Sequence, residues 1–295
     1  MSKTALTEQR NPATKDIDLM SSLDIAKTIN NEDKKVALAI EKNLPEIAQA
    51  IEAIAQSFQK GGRLAYFGAG TSGRIGVLDA SECWPTFGVE HGMVNGFIAG
   101  GDKALRFSVE DSEDNASLGL QDLQSFNPTP KDIVVGISAN GGPKYLLSVL
   151  KEAQKIGCTT IGITSNPKAK LKKFTDIFIN PIVGEEVITG SSRMKSGTAQ
   201  KMILNMLSTG AMIRIGKTYE NYMIDLRMVN EKLIDRGCRF VSEIADISYD
   251  QAQEYIKKSN YNVKTACVMA IKNCSKSAAE TLLKKHHGIL RKTIC

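Results

Sequence analysis

The amino-acid sequence predicts a doubly wound α/β protein. It should have a mainly parallel five-stranded sheet with flanking helices, N-terminal helices before it and a small three-helix domain after it. Three observations carry this. The apolar runs Leu64–Phe67, Met93–Ala99, Ile133–Ile137, Thr160–Thr164 and Ile177–Ile179 are short and continuous, as strands buried on both faces are. Helical patterns separate them, which is the alternation of a parallel sheet with right-handed crossovers. A glycine-rich turn, Gly68-Ala-Gly-Thr-Ser-Gly-Arg74, joins the first run to the helix that follows.

Taken in chain order, residues 1–20 are polar and read as extended. Residues 21–60 read as helical, with apolar residues three and four apart in Val36–Ile40 and Leu44–Ala55. Pro45 suits a first helical turn, and Gly61-Gly62 ends the helix. Between the strands the pattern predicts helices over Ser72–Ser81, Lys103–Leu123 and Pro143–Ile156, with a short turn at Ala169–Phe174. A long helix is expected from about Arg193 to Ile215, its methionines read as packing. After Gly237 the texture changes to three short helices, Ser248–Lys258, Val263–Asn273 and Ser275–His286, with Ser248 and Ser275 as N-caps. The expected domains are therefore 1–60, 61–237 and 238–295, the last a small helical, UBA-like piece or lid.

Composition narrows the function classes. With 295 residues, 42% hydrophobic and 24% charged, the chain has the make-up of a soluble protein with room for one large α/β domain and a small appendage. No apolar run approaches the roughly 20 residues of a membrane helix. The first ten residues have no apolar core of a secretory signal, so a cytoplasmic protein is expected. Six scattered cysteines without a C-x-x-C, and three histidines, argue against a zinc site or a disulfide framework. The net charge is +6, but Tyr255–Cys295 alone carries +8, leaving −2 for the rest. A basic tail can signal nucleic acid. Only Tyr255 and Tyr261 interleave there, so a solvated face, or a surface that attracts an anionic substrate, ranks above nucleic acid.

The chemistry concentrates in loops at strand ends, where ligands bind in doubly wound sheets. In the first, Gly70, Thr71 and Ser72 stand where a helix begins. Unpaired backbone N–H groups and the helix dipole favour phosphate there. The same letters fit G-x-G-x-x-G, with Glu90 near the spacing of a ribose-binding acid. Phosphomonoester binding ranks first, a dinucleotide second and an empty tight turn third. The second loop is Ser138-Ala-Asn-Gly-Gly142: Ser138 supplies a hydroxyl, while Asn140 and Gly141 permit unusual backbone angles. The third is Thr164-Ser-Asn-Pro167. A fourth segment, Thr189–Gly197, joins hydroxyls at Ser191 and Ser192 with Arg193 and Lys195 at a helix start. It reads either as an ordinary cap with solvated charges or as the completion of an anion site.

At these residues the chain resembles the N-acetylmuramic acid 6-phosphate etherase family, whose core is a sugar isomerase (SIS) domain. The resemblance rests on Gly68–Arg74, Leu78-Asp-Ala-Ser-Glu-Cys83, Ile98-Ala-Gly-Gly101, Val183–Lys201 and Leu204-Asn-Met-Leu-Ser-Thr-Gly210. Thr7-Glu-Gln-Arg-Asn-Pro12 and Ile29-Asn-Asn-Glu-Asp-Lys34 are similar too. It covers nearly the whole chain, and 183–201 is its most specific segment. The second loop departs from the pattern, with Asn140 and Pro143 where members often carry Ser or Thr. The related glucokinase regulatory protein shares some motifs but has two SIS domains.

The resemblance implies an enzyme that removes the lactyl ether of N-acetylmuramic acid 6-phosphate by elimination and hydration. N-acetylglucosamine 6-phosphate and D-lactate result, in cell-wall recycling. It implies a carbon–oxygen lyase and a homodimer, with a sugar phosphate as ligand, no nucleic acid or membrane partner and no metal or other cofactor. Glu82 would be the acid, its pKa raised by burial or a neighbouring charge, and Glu113 the second catalytic carboxylate. Gly70, Thr71, Ser72, Ser138, Asn140, Gly141, Glu186, Ser191, Ser192, Arg193 and Lys195 would bind phosphate or sugar. Lys264, at a helix start in the basic tail, would add a ligand contact from a closing lid. Residue types alone place Glu113 differently, on a solvated helix face within the acidic run of Glu110, Asp111 and Asp114. Glu82 also lies eleven residues beyond Thr71, about 16 Å in a straight helix. Either that helix ends early, near Ala80, or a second subunit completes the site. Two rivals need the same cradle: an aldose–ketose isomerase of sugar phosphates and a non-catalytic sugar-phosphate sensor. A dinucleotide-linked dehydrogenase is a more distant third.

Overall fold

A computed structural model describes residues 6–109 and 111–295; Glu110 of the acidic run lies outside them. The strands are β1 (Leu64–Gly68), β2 (Val94–Ile98), β3 (Ile133–Ile137), β4 (Thr159–Ile163) and β5 (Ile177–Ile179). They form one sheet in the order β2-β1-β3-β4-β5, and every pairing is parallel. The chain goes from β1 outward to β2 and then returns to the other side of β1 for β3. The crevice between the ends of β1 and β3 is therefore the switch point where doubly wound sheets hold ligands.

Helices α1 (Ser22–Glu41) and α2 (Leu44–Gln59) precede the sheet, separated at Asn43 and with Pro45 in the first turn of α2. Helix α3 (Gly70–Phe87) follows β1. Two glycines make that turn possible: a Cβ on Gly68 would stand 2.7 Å from the Gly73 nitrogen, and one on Gly73 would stand 2.6 Å from Ile98 Cγ1. α3 does not stop near Ala80. It passes Pro85, which lacks the N–H for the Ser81 carbonyl, and ends two residues later.

The helix expected over Lys103–Leu123 is instead two, α4 (Lys103–Arg106) and α5 (Ala116–Phe126). Between them Asp111 takes a left-handed conformation, φ 61°. The buried Ser112 bonds the Val109 carbonyl, and Asn115 caps α5 by accepting from the Ser117 and Leu118 N–H groups. The solvated helix face read for Glu113 is thus an ordered turn.

α6 (Lys144–Ile156) packs with α5 over Phe67, Val134, Tyr145, Leu146 and Leu150, all buried. A 3-10 turn, Lys170–Phe174, precedes β5, and α7 (Lys195–Arg214) follows it. Residues 1–5 lie outside the described residues, and the N-terminal segment from Leu6 is not extended. It forms three 3-10 turns, Leu6–Glu8, Pro12–Thr14 and Ile17–Leu19.

The remaining helices are α8 (Glu231–Ala245), α9 (Tyr249–Lys258), α10 (Val263–Lys272), α11 (Lys276–Lys285) and α12 (Leu290–Ile294). Among the described residues no helix is long and apolar enough to cross a membrane. No disulfide links the six cysteines. The described residues form two compact units, one within 6–81 and 92–210, the other of 82–91 and 211–295. The second unit thus begins before 238 and includes the end of α3. Its core holds Ile224, Val241, Ile256, Val263, Cys267 and Leu283. Within it the 82–91 stretch lies against 225–227, since the Arg227 N–H donates to the Pro85 carbonyl and its guanidinium to that of Gly88.

Candidate functional site

A cavity of about 590 Å³ opens in the first unit. Gly70, Thr71 and Ser72, the first turn of α3, form one wall. Their N–H groups have no acceptor within the helix, and no acidic side chain occupies that turn. The loop after β3 gives Ser138, Ala139, Asn140, Gly142 and Pro143, and the segment after β4 gives Asn166, Lys168 and Lys170. Glu113 and Asp114 come from the turn before α5, Ser192 from the turn before α7, and Thr7 and Glu8 from the N-terminal segment.

Hydrogen bonds hold these walls together. Ser138 Oγ accepts from the Gly141 N–H at 2.9 Å, and the Gly141 carbonyl accepts from the Leu171 N–H at 3.2 Å. Thr164 Oγ1 and the Ser165 N–H both donate to the Ala139 carbonyl. Asn166 donates through Nδ2 to the Asn140 carbonyl and side chain. The Tyr145 N–H donates to the Glu113 carbonyl at 3.0 Å, and Lys144 faces Asp114 at 4.0 Å. The N-terminal segment is tied down by the Gly190 N–H on the Thr7 carbonyl, Asn11 Nδ2 on the Glu185 carbonyl and Thr14 Oγ1 on the Val187 carbonyl.

Seven residues expected in the site meet in this cavity: Gly70, Thr71, Ser72, Ser138, Asn140, Ser192 and Glu113. The others stand elsewhere, each for a physical reason. Gly141 is buried behind its loop, both backbone groups engaged. Its φ of +72° and the Ala169 methyl facing it leave no room for a side chain. Glu186 is fully buried and does not line this cavity. Its two oxygens accept from the Lys195 and Ser196 N–H groups, each at 2.9 Å, and so cap α7. That carboxylate already satisfies the start of α7, so the second anion-binding helix start read from the sequence is closed.

Lys195 is 1% exposed and its Nζ lies 2.6 Å from Glu32 Oε2 on α1. Burial pushes the Glu32 carboxyl up. Hydrogen bonds from Lys195, Lys35 and Asn11 outweigh it and hold the group at about 2. Ser191 and the exposed Arg193 flank Ser192 without lining the cavity.

Lys264 sits in α10, where Val263 to Met269 are all buried, and donates to Asp225 at 2.7 Å. Burial pushes its ammonium down and Asp225 opposes this. It is paired within the second unit and does not line the cavity. Glu82 belongs to the second unit too, exposed on the last turns of α3. Glu113 is exposed as well, so burial shields neither expected catalytic carboxylate.

The sequence reading missed several residues. Asp79, buried in mid-α3, accepts from Tyr66 of β1 at 2.9 Å and from Asn205 and Ser208 of α7 at 2.8 and 3.2 Å. Burial pushes its carboxyl up against those bonds. An Asp on a helix face otherwise aimed at a sheet was the available signal. Thr7 and Glu8 lay within a quoted motif, but as part of an extended segment. Lys168 and Lys170 followed the third loop by one and three residues, with nothing local to mark them.

The comparisons agree with this architecture. The family model of the glucokinase regulatory protein N-terminal SIS domain matches residues 46–154, that of the SIS domain 114–210, and that of the C-terminal lid domain of glucokinase regulatory protein 220–266. Among solved structures, one described as a phosphosugar isomerase involved in capsule formation, from Bacteroides fragilis, has a TM-score of 0.52 at 20% identity. It covers 69% of this chain and 97% of its own. A phosphoheptose isomerase from Neisseria gonorrhoeae has a TM-score of 0.50 at 15% identity, covering 64% and 97%. These likenesses concern the fold alone. An N-acetylmuramic acid 6-phosphate etherase of Glaesserella parasuis is 52% identical over 290 residues, 98% of this chain and 95% of that protein. Proteins of the same name from Actinobacillus pleuropneumoniae and Photorhabdus laumondii are each 50% identical over 289 residues, 98% of this chain. Identity of this extent, spanning both units, places the chain in the N-acetylmuramic acid 6-phosphate etherase family.

Proposed function

We propose that the protein cleaves the lactyl ether of N-acetylmuramic acid 6-phosphate by elimination and hydration, yielding N-acetylglucosamine 6-phosphate and D-lactate. The near-full-length identity of about half to etherases of that name carries the reading. The cavity is compatible with it. The first turn of α3 offers unpaired N–H groups and the hydroxyls of Thr71 and Ser72 to a phosphate, with Ser138 and Ser192 beside them.

An ether is a poor leaving group. Ring opening exposes an aldehyde at C1 and acidifies the C2 proton. Glu113 removes it, Glu82 protonates the departing lactate oxygen, and water then adds at C3. This is general acid–base chemistry worth roughly 10²–10⁴-fold per group, and the reaction class is a carbon–oxygen lyase. Because α3 runs unbroken past Glu82, the reading includes a homodimer in which the second copy completes the site, in the cytoplasm.

The test is incubation with N-acetylmuramic acid 6-phosphate and an assay for D-lactate. Wild type should release it. Glu82→Gln and Glu113→Gln should each lose more than tenfold while still binding N-acetylglucosamine 6-phosphate, and mixing the two variants should restore release in mixed dimers. No lactate from wild type overturns the function, and near-wild-type rates in either variant overturn that glutamate's role. Mixtures as inactive as their components overturn the shared site.

A further inference from the structure

The ether substrate carries two anionic groups, a phosphate and the lactyl carboxylate, and the start of α3 accounts for only the first. Each cation that the sequence assigned to anion binding is placed otherwise: Lys195 pairs with Glu32, Lys264 with Asp225, and Arg193 does not line the cavity. Lys168 and Lys170 do line it. No carboxylate among the described residues lies within ion-pair distance of either.

Their backbone is fixed. The segment alternates, with Lys168 and Lys170 exposed while Ala169 and Leu171 are buried, so both ammonium groups leave the loop on its open side. Asn166 Oδ1 accepts from the Lys168 N–H at 3.0 Å while its Nδ2 holds Asn140. The Leu171 N–H donates to Gly141 in the Ser138 loop. The lysines are thus carried on a segment bonded directly to the loop that offers Ser138.

We propose that Lys168 and Lys170 bind the lactyl carboxylate, and so select the ether-bearing substrate over sugar phosphates that lack a second anion. The proposal rests on the etherase reading. The chemistry suits a carboxylate: two exposed ammonium groups with no acidic partner can form charge-assisted hydrogen bonds to it that strengthen as water is displaced.

The experiment uses the full chain with Lys168 and Lys170 both replaced by Met, which keeps the apolar stems, and both replaced by Arg. KM for N-acetylmuramic acid 6-phosphate and Kd for N-acetylglucosamine 6-phosphate are read together. The expected result for the Met pair is a KM raised about tenfold or more, at unchanged melting temperature, with Kd for the product within about twofold of wild type. The Arg pair should restore most of the KM. In wild type, added salt should weaken the substrate more than the product, and that difference should vanish in the Met pair. Equal weakening of substrate and product would assign the lysines to phosphate and overturn the proposal, as would no change in either. A wild type that releases no lactate overturns this proposal together with the etherase reading. An active wild type with an unaffected Met pair overturns only the lysine assignment.

Discussion

Lys195→Met separates a structural lysine from a ligand. The Lys195 and Glu32 side chains are 1% and 4% exposed and 2.6 Å apart. Methionine keeps the volume, so no cavity opens; what changes is that Glu32 loses its buried partner. Removing one member of a buried pair costs about 3–5 kcal/mol. Lys35 remains 2.6 Å from the other Glu32 oxygen, but it is 59% exposed and returns only up to about 1 kcal/mol. The net loss is about 2–5 kcal/mol, a fall in Tm of roughly 5–20 °C for a unit of this size. The double variant Glu32→Gln/Lys195→Met removes both charges and should lose less than half as much. The pH dependence has a defined sign. Glu32 is held below its ordinary 4.5, at about 2. Its contribution is therefore fully present above 4.5 and is lost as pH falls from 4.5 toward 2, and Lys195→Met should flatten that acid limb. Affinity for N-acetylglucosamine 6-phosphate, measured well below Tm, should stay within about twofold. Wild-type stability together with weakened phosphate binding would refute the structural assignment and return Lys195 to the site.

Gly141→Ala should destabilise by about 2–4 kcal/mol, read from the urea midpoint. About 1–2 arises from a left-handed residue acquiring a Cβ and the rest from contact with Ala169 and with Leu171, whose Cδ2 would be 3.0 Å away. Because the Ser138 and Lys168 segments meet there, sugar-phosphate affinity should fall too, and an unaltered midpoint would refute the packing argument. Lys264→Ala should lower Tm and leave KM near wild type, since Lys264 is spent on Asp225. Lys217, 3.1 Å from that carboxylate, limits the cost to about 1–3 kcal/mol. A raised KM at unchanged Tm would reverse this.

What could be read from the sequence tracks how local its cause is. Strands buried on both faces leave a continuous apolar run, and all five fall within about a residue of the runs that announce them. The glycine turn and Ser138 were legible for the same reason: their geometry is set by neighbours a few positions away. The break at 107–115 was not, because its cause is a capping Asn115 and a serine that becomes buried, while the helical spacing continues across it. α8 went unread because its charges, from Lys232 to Glu243, hide an apolar stripe.

The lysines make the same point more sharply. Lys195 and Lys264 each stand at a helix start, where an anion site is read naturally, yet their partners lie 163 and 39 residues away. Lys168 and Lys170 stand just after the third strand-end loop, Thr164–Pro167, with no helix start to draw attention to them. Whether folding brings a lysine a carboxylate partner is a property of the whole chain, not of its neighbours in sequence. Glu186 follows the same logic, because by reaching nine residues forward to cap α7 it removes one of two candidate phosphate sites. Of the two helix starts that the sequence offers to an anion, the fold neutralises α7 with its own carboxylate and leaves α3 open. The phosphate reading therefore rests on α3, where the glycine turn first placed it.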